Sequence, residues 1–503
     1  MIEEASGCAP TAGLLKADGP AAGYMLYAPR TTTDTYLVDV RSGAVVHAWR
    51  SAYATGHAAY LTGAGDLARM EDDTALAAAA KISIPGDASM ISFYDWAGTP
   101  LWRKVVNSDT HRFHHQFDLH NFDVRSGSGT LFALTAYRLE CAQAVALGRE
   151  ICDDSAGMYV EAVLEINAAG EVVWSWYMSN HVCSDCAGST TKVDINSGFG
   201  ANRADWVHAN SLVYDADADV LLLGGAFTSE VYVIDHSAPS EPPLMDGESS
   251  SLLFRYGSDR FGEQHDVRFA PCSATAAAGS LCFTVFNNGR YRGEGTCAFD
   301  AGSGAQTADP GCASEVLLVA LPPEVLGSSG LGPSPDADAG EPTVVVETLF
   351  DADTVPSLLG EGGDFLRLCD ASGECRVQSR FFSLILSSAA LVGQPFAPGS
   401  YVSVNAGVYG TCFEVYYDSG TGAYSDVRFV YQNAAQIVGN QQPPTMMAQC
   451  SLPGLVSLSF TAASGYSTRY EQQRGGGGGR REGCFWACSR RDACPGHPPR
   501  RSG

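Results

Sequence analysis

The chain has 503 residues, of which 45% are hydrophobic and 17% are charged, so it can bury a sizeable core and is not disordered as a whole. Lysine and arginine number 31 against 56 acidic residues, and the formal net charge is −25. This charge argues against nucleic-acid binding, because nucleic acids are polyanions. No apolar run of about 18 residues occurs, so no membrane span is predicted.

The N-terminus and the cysteines give opposite indications about compartment. Residues 1–10 contain acidic residues where a signal peptide would have basic ones, so no export signal is visible. The sixteen cysteines favour an oxidising (secreted, lumenal or periplasmic) compartment, because many lie close enough in sequence to form disulfides across loops. These pairs are Cys141 with Cys152, Cys183 with Cys186, Cys272 with Cys282, Cys297 with Cys312, and Cys369 with Cys375. Cys183 and Cys186 form a CxxC, but a second CxxC with zinc-site spacing is absent, so we predict a loop disulfide or free thiols and no metal.

The sequence indicates strands almost throughout, with glycine and proline at turns, and its best helix is the short alanine-rich segment 73–80. Two units recur. One is a pair of strands that ends in an aromatic residue, at 36–49, 91–102, 162–174, 231–256, 316–350 and 413–431. The other has a polar start and precedes most of these copies, at 57–69, 115–134, 208–224, 265–286 and 388–404. One unit of each kind makes a four-stranded blade, which predicts an all-β propeller.

Five blades are recognisable, and the strands within residues 23–50 lack an inner partner nearby. We predict that a strand within residues 451–461 completes this sixth blade. The predicted organisation is therefore an N-terminal segment (1–22), a six-bladed β-propeller (23–462) and a disordered, basic, Gly/Arg/Cys-rich tail (463–503) that contains five consecutive glycines.

Histidines lie at or near the start of four predicted inner strands: His57, His115, His208 and His265. Inner strands of a propeller line its channel, so these imidazoles are expected to meet at one mouth, as a site for an anion or a nucleophile. For His57 alone we favour a core position with no chemical role. His208 and Asn210 lie on one side of a strand, because residues i and i+2 share a face. Such a polar pair is costly in a core unless it is used.

The chain resembles the bacterial, PAPS-independent arylsulfate sulfotransferases over residues 23–431. The resemblance rests on the His114-His115 pair, Asp205-Trp-Val-His-Ala-Asn-Ser211 and Gln264-His265-Asp266, together with segments 23–29, 36–49, 231–237 and 285–289. It implies a six-bladed propeller that moves a sulfuryl group from a phenolic sulfate ester to a phenolic acceptor. The implied mechanism is ping-pong through a sulfohistidine, with no cofactor.

The resemblance also implies roles for particular residues. His265 would be the nucleophile, and His208 and Asn210 would bind the sulfuryl oxygens. One of His114 and His115 would join them, and strand position favours His115. We further infer that Glu263 or Asp266 could tune His265, since an acid beside an imidazole can fix its tautomer.

One position departs from the family, whose active-site arginine is replaced here by Ala226. Arg268 or Arg290 could supply the charge instead. The alternative is a catalytically impaired or inactive propeller that binds sulfated or other anionic ligands. A third reading is an interaction propeller that uses its outer surface. Substrate specificity is expected in the mouth loops at 136–157 and 297–312, and the sequence carries no sign of oligomeric state.

Overall fold

The computed structural model describes residues 13–17, 24–28, 32–39, 44–186, 188–245, 249–290, 313–326, 344–350, 367–369, 375–377, 387–406, 411–432, 450–451 and 467–468. Within these ranges the chain is all-β, with only short helices. No described helix is long and apolar enough to cross a membrane.

The first half of the chain consists of hairpins with two short α-helices between them. The strands are β1 (Gly13–Ala17), β2 (Tyr24–Tyr27), β3 (Asp34–Asp39), β4 (Val45–Arg50), β5 (Ala54–Leu61), β6 (Leu67–Asp72), β7 (Asp87–Ala88), β8 (Met90–Tyr94), β9 (Pro100–Val105), β10 (His111–Asp123), β11 (Ser128–Leu139), β12 (Met158–Asn167), β13 (Val172–Tyr177), β14 (Val182–Cys183) and β15 (Val193–Asp194). The helices are α1 (Thr74–Ala79) and α2 (Cys141–Ala146), and Met178–Asn180 form a 3₁₀ turn.

The second half continues in the same way. Its strands are β16 (Ala209–Asp215), β17 (Val220–Gly225), β18 (Glu230–Asp235), β19 (Leu252–Tyr256), β20 (His265–Phe269), β21 (Leu281–Asn287), β22 (Glu315–Leu321), β23 (Val345–Phe350), β24 (Arg367–Cys369), β25 (Cys375–Val377), β26 (Ser388–Val392), β27 (Tyr401–Ala406), β28 (Thr411–Asp418), β29 (Ala423–Gln432), β30 (Cys450–Ser451) and β31 (Ser467–Thr468). A second 3₁₀ turn spans Pro323–Leu326.

The described strands form six sheets of four or five strands and two small two-stranded sheets. The six sheets have the strand orders β5-β6-β8-β9, β7-β10-β11-β12-β13, β16-β17-β18-β19, β20-β21-β22-β23, β26-β27-β28-β29-β1 and β31-β30-β2-β3-β4. In five of them, one unit of each recurring kind combines into one antiparallel sheet, as predicted. Within the sixth sheet, Leu26 pairs with Ser451 at the start of the predicted closing segment, and residues 452–461 lie outside the described part.

Burial follows position in each sheet. The middle strand β17 is buried along its whole length, whereas the outer strands β4 and β9 are largely exposed or half-buried. A strand that is covered on both faces reads as a continuous apolar run, as Val220 to Leu223 do. The strands β8, β12, β18 and β22, which begin aromatic-ending units, are buried as well, so the exposed rim is formed mainly by last strands such as β4 and β9.

Consecutive sheets pack face to face. One core cluster joins Phe132 and Trp176 to Leu212 and Tyr232 of the next sheet, and comparable clusters lie between the other neighbouring sheets. Successive inner strands are also hydrogen-bonded through side chains. The Leu212 N–H, for example, donates to Gln116 Oε1 at 2.7 Å. The strands β5, β10, β16, β20 and β26 contact one another in this order, so the starts of four histidine-bearing segments become neighbours.

Several sequence predictions have direct outcomes here. Helix α1 begins after Asp73, whose carboxylate accepts two backbone N–H groups, as an N-cap should. Disulfides join Cys141 to Cys152, Cys183 to Cys186 and Cys272 to Cys282. Cys369 and Cys375 are cross-strand backbone partners, and the predicted pair 297 and 312 lies outside the described residues. So does the predicted tail apart from Ser467–Thr468, and the domain boundaries stay predictions.

Candidate active site

Three buried histidines from consecutive inner strands meet edge-to-face. The ring centroid of His115 lies 4.8 Å from that of His57 and 4.8 Å from that of His208. His265 lies beside this group, because Nδ2 of Asn210, two residues after His208, donates to the backbone oxygen of Gln264 at 2.8 Å. His57 is buried, as a core position requires, but its contact with His115 makes it part of the same cluster. The sequence-predicted His115, His208 and His265 are thus brought together.

The backbone departs from regular strand geometry at the residues that carry or adjoin these histidines. His115 and His208 have φ values of 49° and 50°, in the left-handed region, and so do Glu263 (55°) and Asp266 (56°). Left-handed non-glycine residues cost on the order of 1–3 kcal/mol each and persist only where the surroundings hold them. The strand register also shifts at this level in β5, β10, β16 and β20. Each bulge re-aims a side chain that a regular strand would send elsewhere.

His265 is held in one tautomer. Its Nδ1 lies 3.2 Å from the backbone oxygen of Glu263 and 2.8 Å from Oδ1 of Asn288. A carbonyl oxygen only accepts, so Nδ1 carries the proton and Nε2 carries the lone pair. Burial lowers the pKa of His265 to about 4, with the charges of His208 and Arg290 adding to the effect and the bonds to Asn288 and Glu263 opposing it. His265 is therefore a neutral imidazole at neutral pH, with Nε2 as its nucleophilic atom.

His208 has the opposite electrostatics. Its Nδ1 lies 2.6 Å from Oδ2 of Asp205, and its ring stacks on Phe227 with centroids 4.5 Å apart. Burial opposes protonation, but the carboxylates of Asp205, Glu161 and Glu263 outweigh it and raise the pKa of His208. The cluster thus pairs a neutral imidazole at His265 with one that favours the cationic form.

His114 and His115 are joined to each other rather than both facing the cluster. Their Nδ1 atoms are 3.0 Å apart, and Nε2 of His114 lies 2.9 Å from Oε2 of the buried Glu161. Both ring nitrogens of His114 contact protein groups, and its predicted role in substrate binding stays a prediction. Burial, with the charges of the neighbouring histidines, lowers the pKa of His115 well below its usual value.

Asn210 links two neighbouring inner strands. Its Nδ2 donates to the backbone oxygen of Gln264 at 2.8 Å, and its Oδ1 accepts from Ser211 Oγ. This side chain fixes the segment that leads into His265. Its predicted contact with sulfuryl oxygens stays a prediction, for which the second Nδ2 hydrogen would serve.

The two arginines considered as replacements at Ala226 differ in their surroundings. Arg268 is buried, and its Nε donates to Asp266 at 2.7 Å. Asp266 also accepts the N–H of Ala389, so this pair joins β20 to β26. Arg290 makes a two-pronged contact with the Glu263 carboxylate, at 3.0 and 2.8 Å, and its charge acts on His265. Arg290 is therefore the stronger candidate of the two for the missing cation, and this role stays a prediction.

An aromatic rim adjoins His208. Phe199 contacts Phe227, and the guanidinium carbon of Arg203 lies 4.1 Å from the Phe199 ring centroid. Arg290 lies 5.7 Å from the same centroid. Buried Arg149 holds this loop by donating to the backbone oxygens of Gly200 (3.1 Å) and Arg203 (3.0 Å).

Sequence reasoning missed Glu161, Asn288, Phe199, Phe227 and Arg203. Only Asn288 had a readable signal, because it lies in the Asn-Asn-Gly segment that follows β21. The others reach the site through packing between sheets, which no local pattern encodes.

Comparison with known proteins adds a family to this geometry. Residues 94–308 match the family model described as Arylsulfotransferase (ASST). The matched region contains His115, His208, Asn210 and His265. No curated protein matches the chain.

Similar solved structures include the β-propeller domain of Cps50 (Swd1) from Myceliophteria thermophila, with 10% identity and a TM-score of 0.34 over 83% of this chain and 88% of that chain. A protein from Lactobacillus plantarum has 10% identity and a TM-score of 0.35, over 81% and 99% of the two chains. The periplasmic gluconolactonase PpgL of Pseudomonas aeruginosa has 10% identity and a TM-score of 0.32, over 82% and 97%. These values are too low to carry any conclusion about blade number or function.

Proposed function

We propose, from the match of residues 94–308 to the arylsulfotransferase family model, that the protein moves a sulfuryl group from a phenolic sulfate ester to a phenolic acceptor. The transfer takes two steps through a sulfohistidine at His265 and uses no nucleotide donor. The single observation that carries this proposal is the fixed tautomer of His265, which presents the Nε2 lone pair inside a cluster of imidazoles.

In the first step, Nε2 of His265 attacks sulfur, the S–O bond to the aryl group breaks, and the phenolate leaves. The imidazole becomes cationic as the N–S bond forms. Its Nδ1–H donates to the oxygens of Glu263 and Asn288, which stabilises that charge. In the second step, the acceptor oxygen attacks sulfur and the electron pair of the N–S bond returns to Nε2.

Charge stabilisation falls to the groups around the sulfuryl oxygens. Negative charge spreads over these oxygens in the transition state, as it does in phosphoryl transfer. We assign His208 as the main hydrogen-bonding cation, because Asp205 favours its protonated form. Asn210 and Arg290 support it, the latter in place of a cation at position 226.

We assign the aryl groups of the donor and the acceptor to the aromatic rim beside His208. Phe227 stacks on His208, and Phe199 is 38% exposed beside it, so a phenyl ring has aromatic surface to pack on within reach of the imidazoles. We further propose that the six sheets are the blades of a propeller and that its axial channel holds this site. Face-to-face packing of consecutive sheets and contact between successive inner strands support this arrangement.

The test is a transfer assay with a chromogenic aryl sulfate donor and excess phenol. Wild-type protein should release the donor phenol and form the sulfated acceptor, and His265→Ala should do neither. His47→Ala is the matched control, because His47 stacks on Trp96 outside the cluster and should leave the rate unchanged. A wild-type protein that releases no phenol, or a His265→Ala variant that keeps the rate, would overturn the proposal.

A second candidate function is anion binding without turnover. Two observations favour it. Ala226 stands where the family has its arginine, and the charge of Arg290 is already paired with the Glu263 carboxylate. It predicts that phenyl sulfate stabilises both the wild type and His265→Ala against thermal unfolding, while neither protein transfers a sulfuryl group. Transfer by the wild type excludes it.

A further inference from the structure

A buried chain of three titratable side chains runs from β12 into the histidine cluster. Glu161, His114 and His115 are 3%, 0% and 1% exposed. The Glu161 carboxylate contacts Nε2 of His114, and Nδ1 of His114 lies 3.0 Å from Nδ1 of His115. Because each group contacts the next, the position of the proton on one ring determines its position on the following ring.

The carboxylate fixes the first member of this chain. Glu161 Oε1 accepts the N–H of Ala209 at 2.8 Å, and its negative charge contributes to raising the pKa of His208. Its Oε2, 2.9 Å from His114, can only accept. Two lone pairs 2.9 Å apart would repel, so this contact favours a proton on Nε2 of His114, which leaves the lone pair on Nδ1.

The second member follows from the first. Two nitrogens 3.0 Å apart need one proton between them, and His114 Nδ1 has none, so Nδ1 of His115 carries it. His115 is then left with its lone pair on Nε2. In the part of the chain that the structure describes, this buried Nε2 has no hydrogen-bond partner, and its ring touches those of His57 and His208.

We propose that Nε2 of His115 is the general base for the acceptor phenol, with His114 and Glu161 as positioning residues that fix its tautomer. This rests on the proposed function and adds a proton path to it. As the acceptor oxygen bonds to sulfur and the N–S bond to His265 breaks, the phenol proton passes to Nε2 of His115. His115 then loses this proton to solvent when the product leaves, and the phenolate released in the first step takes up a proton from solvent, so protons balance over the cycle.

His115 suits this role better than His208 does. Asp205 favours a permanent positive charge on His208, which serves the sulfuryl oxygens. His115 is neutral in the empty site, because burial and the surrounding imidazoles lower its pKa. A bound sulfuryl group brings negative charge beside the ring, which strengthens Nε2 as a base at the moment when the proton arrives.

The first experiment is Glu161→Gln with nitrogen-15 NMR of the histidine rings. The glutamine oxygen still accepts from Ala209, but its NH₂ now faces His114 and forces the lone pair onto His114 Nε2. The chain of tautomers reverses, and His115 should change from the Nδ1–H to the Nε2–H form. Glu165→Gln, on the same strand and paired with His236 outside the cluster, should leave His115 unchanged. An Nε2–H tautomer in the wild type overturns the inference.

The second experiment separates the two half-reactions. With a nitrophenyl sulfate donor, whose phenolate leaves without a proton, the burst of phenolate release should fall less in Glu161→Gln than transfer to the acceptor does. Transfer to the acceptor should fall by about 10²-fold or more, and the loss should grow with the pKa of the acceptor phenol. A burst in the wild type with normal acceptor transfer in Glu161→Gln overturns this inference alone. A wild type without a burst overturns the proposed function and this role with it.

Discussion

Gly86 is the position where a single added methyl group tests the placement of His115. Gly86 has φ +88°, and its backbone oxygen accepts the N–H of His115 at 2.9 Å. A Cβ at this position would lie 2.5 Å from both Cε1 and Nε2 of the His115 ring. Gly86→Ala therefore perturbs the proposed base without removing any polar group.

The structure gives the size of the effect in two parts. An alanine with positive φ costs about 1 kcal/mol of stability, whatever its surroundings. Ordinary carbon contacts lie at about 3.5 Å, so the ring must also move by about 1 Å. A displacement of about 1 Å in a catalytic group can cost about 10²-fold in rate.

Gly98→Ala is the matched control. Gly98 has φ +84°, and a Cβ there would meet nothing within 4 Å, so this variant carries the backbone strain without displacing His115. By circular dichroism both variants should unfold below the wild type, and Gly86→Ala below Gly98→Ala, because it must also displace a buried ring. In the transfer assay, kcat of Gly86→Ala should fall by about 10²-fold relative to Gly98→Ala. Equal rates for the two would refute the placement of His115 at the reacting centre.

Three further predictions concern charge and loop structure. The pH–rate profile should be bell-shaped. Activity should fall as pH drops through about 4, because His265 becomes protonated. It should fall again as pH rises through the raised pKa of His208, because the cation is lost. A profile with no alkaline limb above pH 6.5 would count against the role of His208. Arg290→Met should lower the transfer rate by roughly 10²-fold, since it removes a cation and its ion pair with Glu263, whereas Arg290→Lys should recover part of it. Arg149→Met should lower the free energy of unfolding in urea by about 3 kcal/mol, because it removes several hydrogen bonds to buried carbonyl oxygens.

The strands could be predicted because each is a short apolar run bounded by turn residues, and the two-unit repeat gave their grouping into sheets. Helix α2 was missed. Its capping box joins Glu140 to Gln143, and glutamate is an unusual first residue for that motif. The three disulfides were predictable because their cysteines lie close in sequence, so the connecting loop restricts the choice of partner.

The site was predictable only in part. His208 and His265 carried local motifs, but His57 looked like a core residue because its contact with His115 depends on how two sheets pack. Glu161 lies in the middle of a buried strand, and nothing in its neighbours marks it. The left-handed backbone of His115 and Glu263 was equally unreadable, since such conformations are normally inferred from glycine or asparagine.

Trapping of the covalent intermediate tests the central claim most directly. The protein would be incubated with an aryl sulfate donor and no acceptor, digested, and examined by mass spectrometry for sulfated peptides. The account predicts one sulfuryl group on Nε2 of His265, which disappears when phenol is added and does not form in His265→Ala. A sulfuryl group on another residue, or phenol release without any covalent adduct, would contradict it.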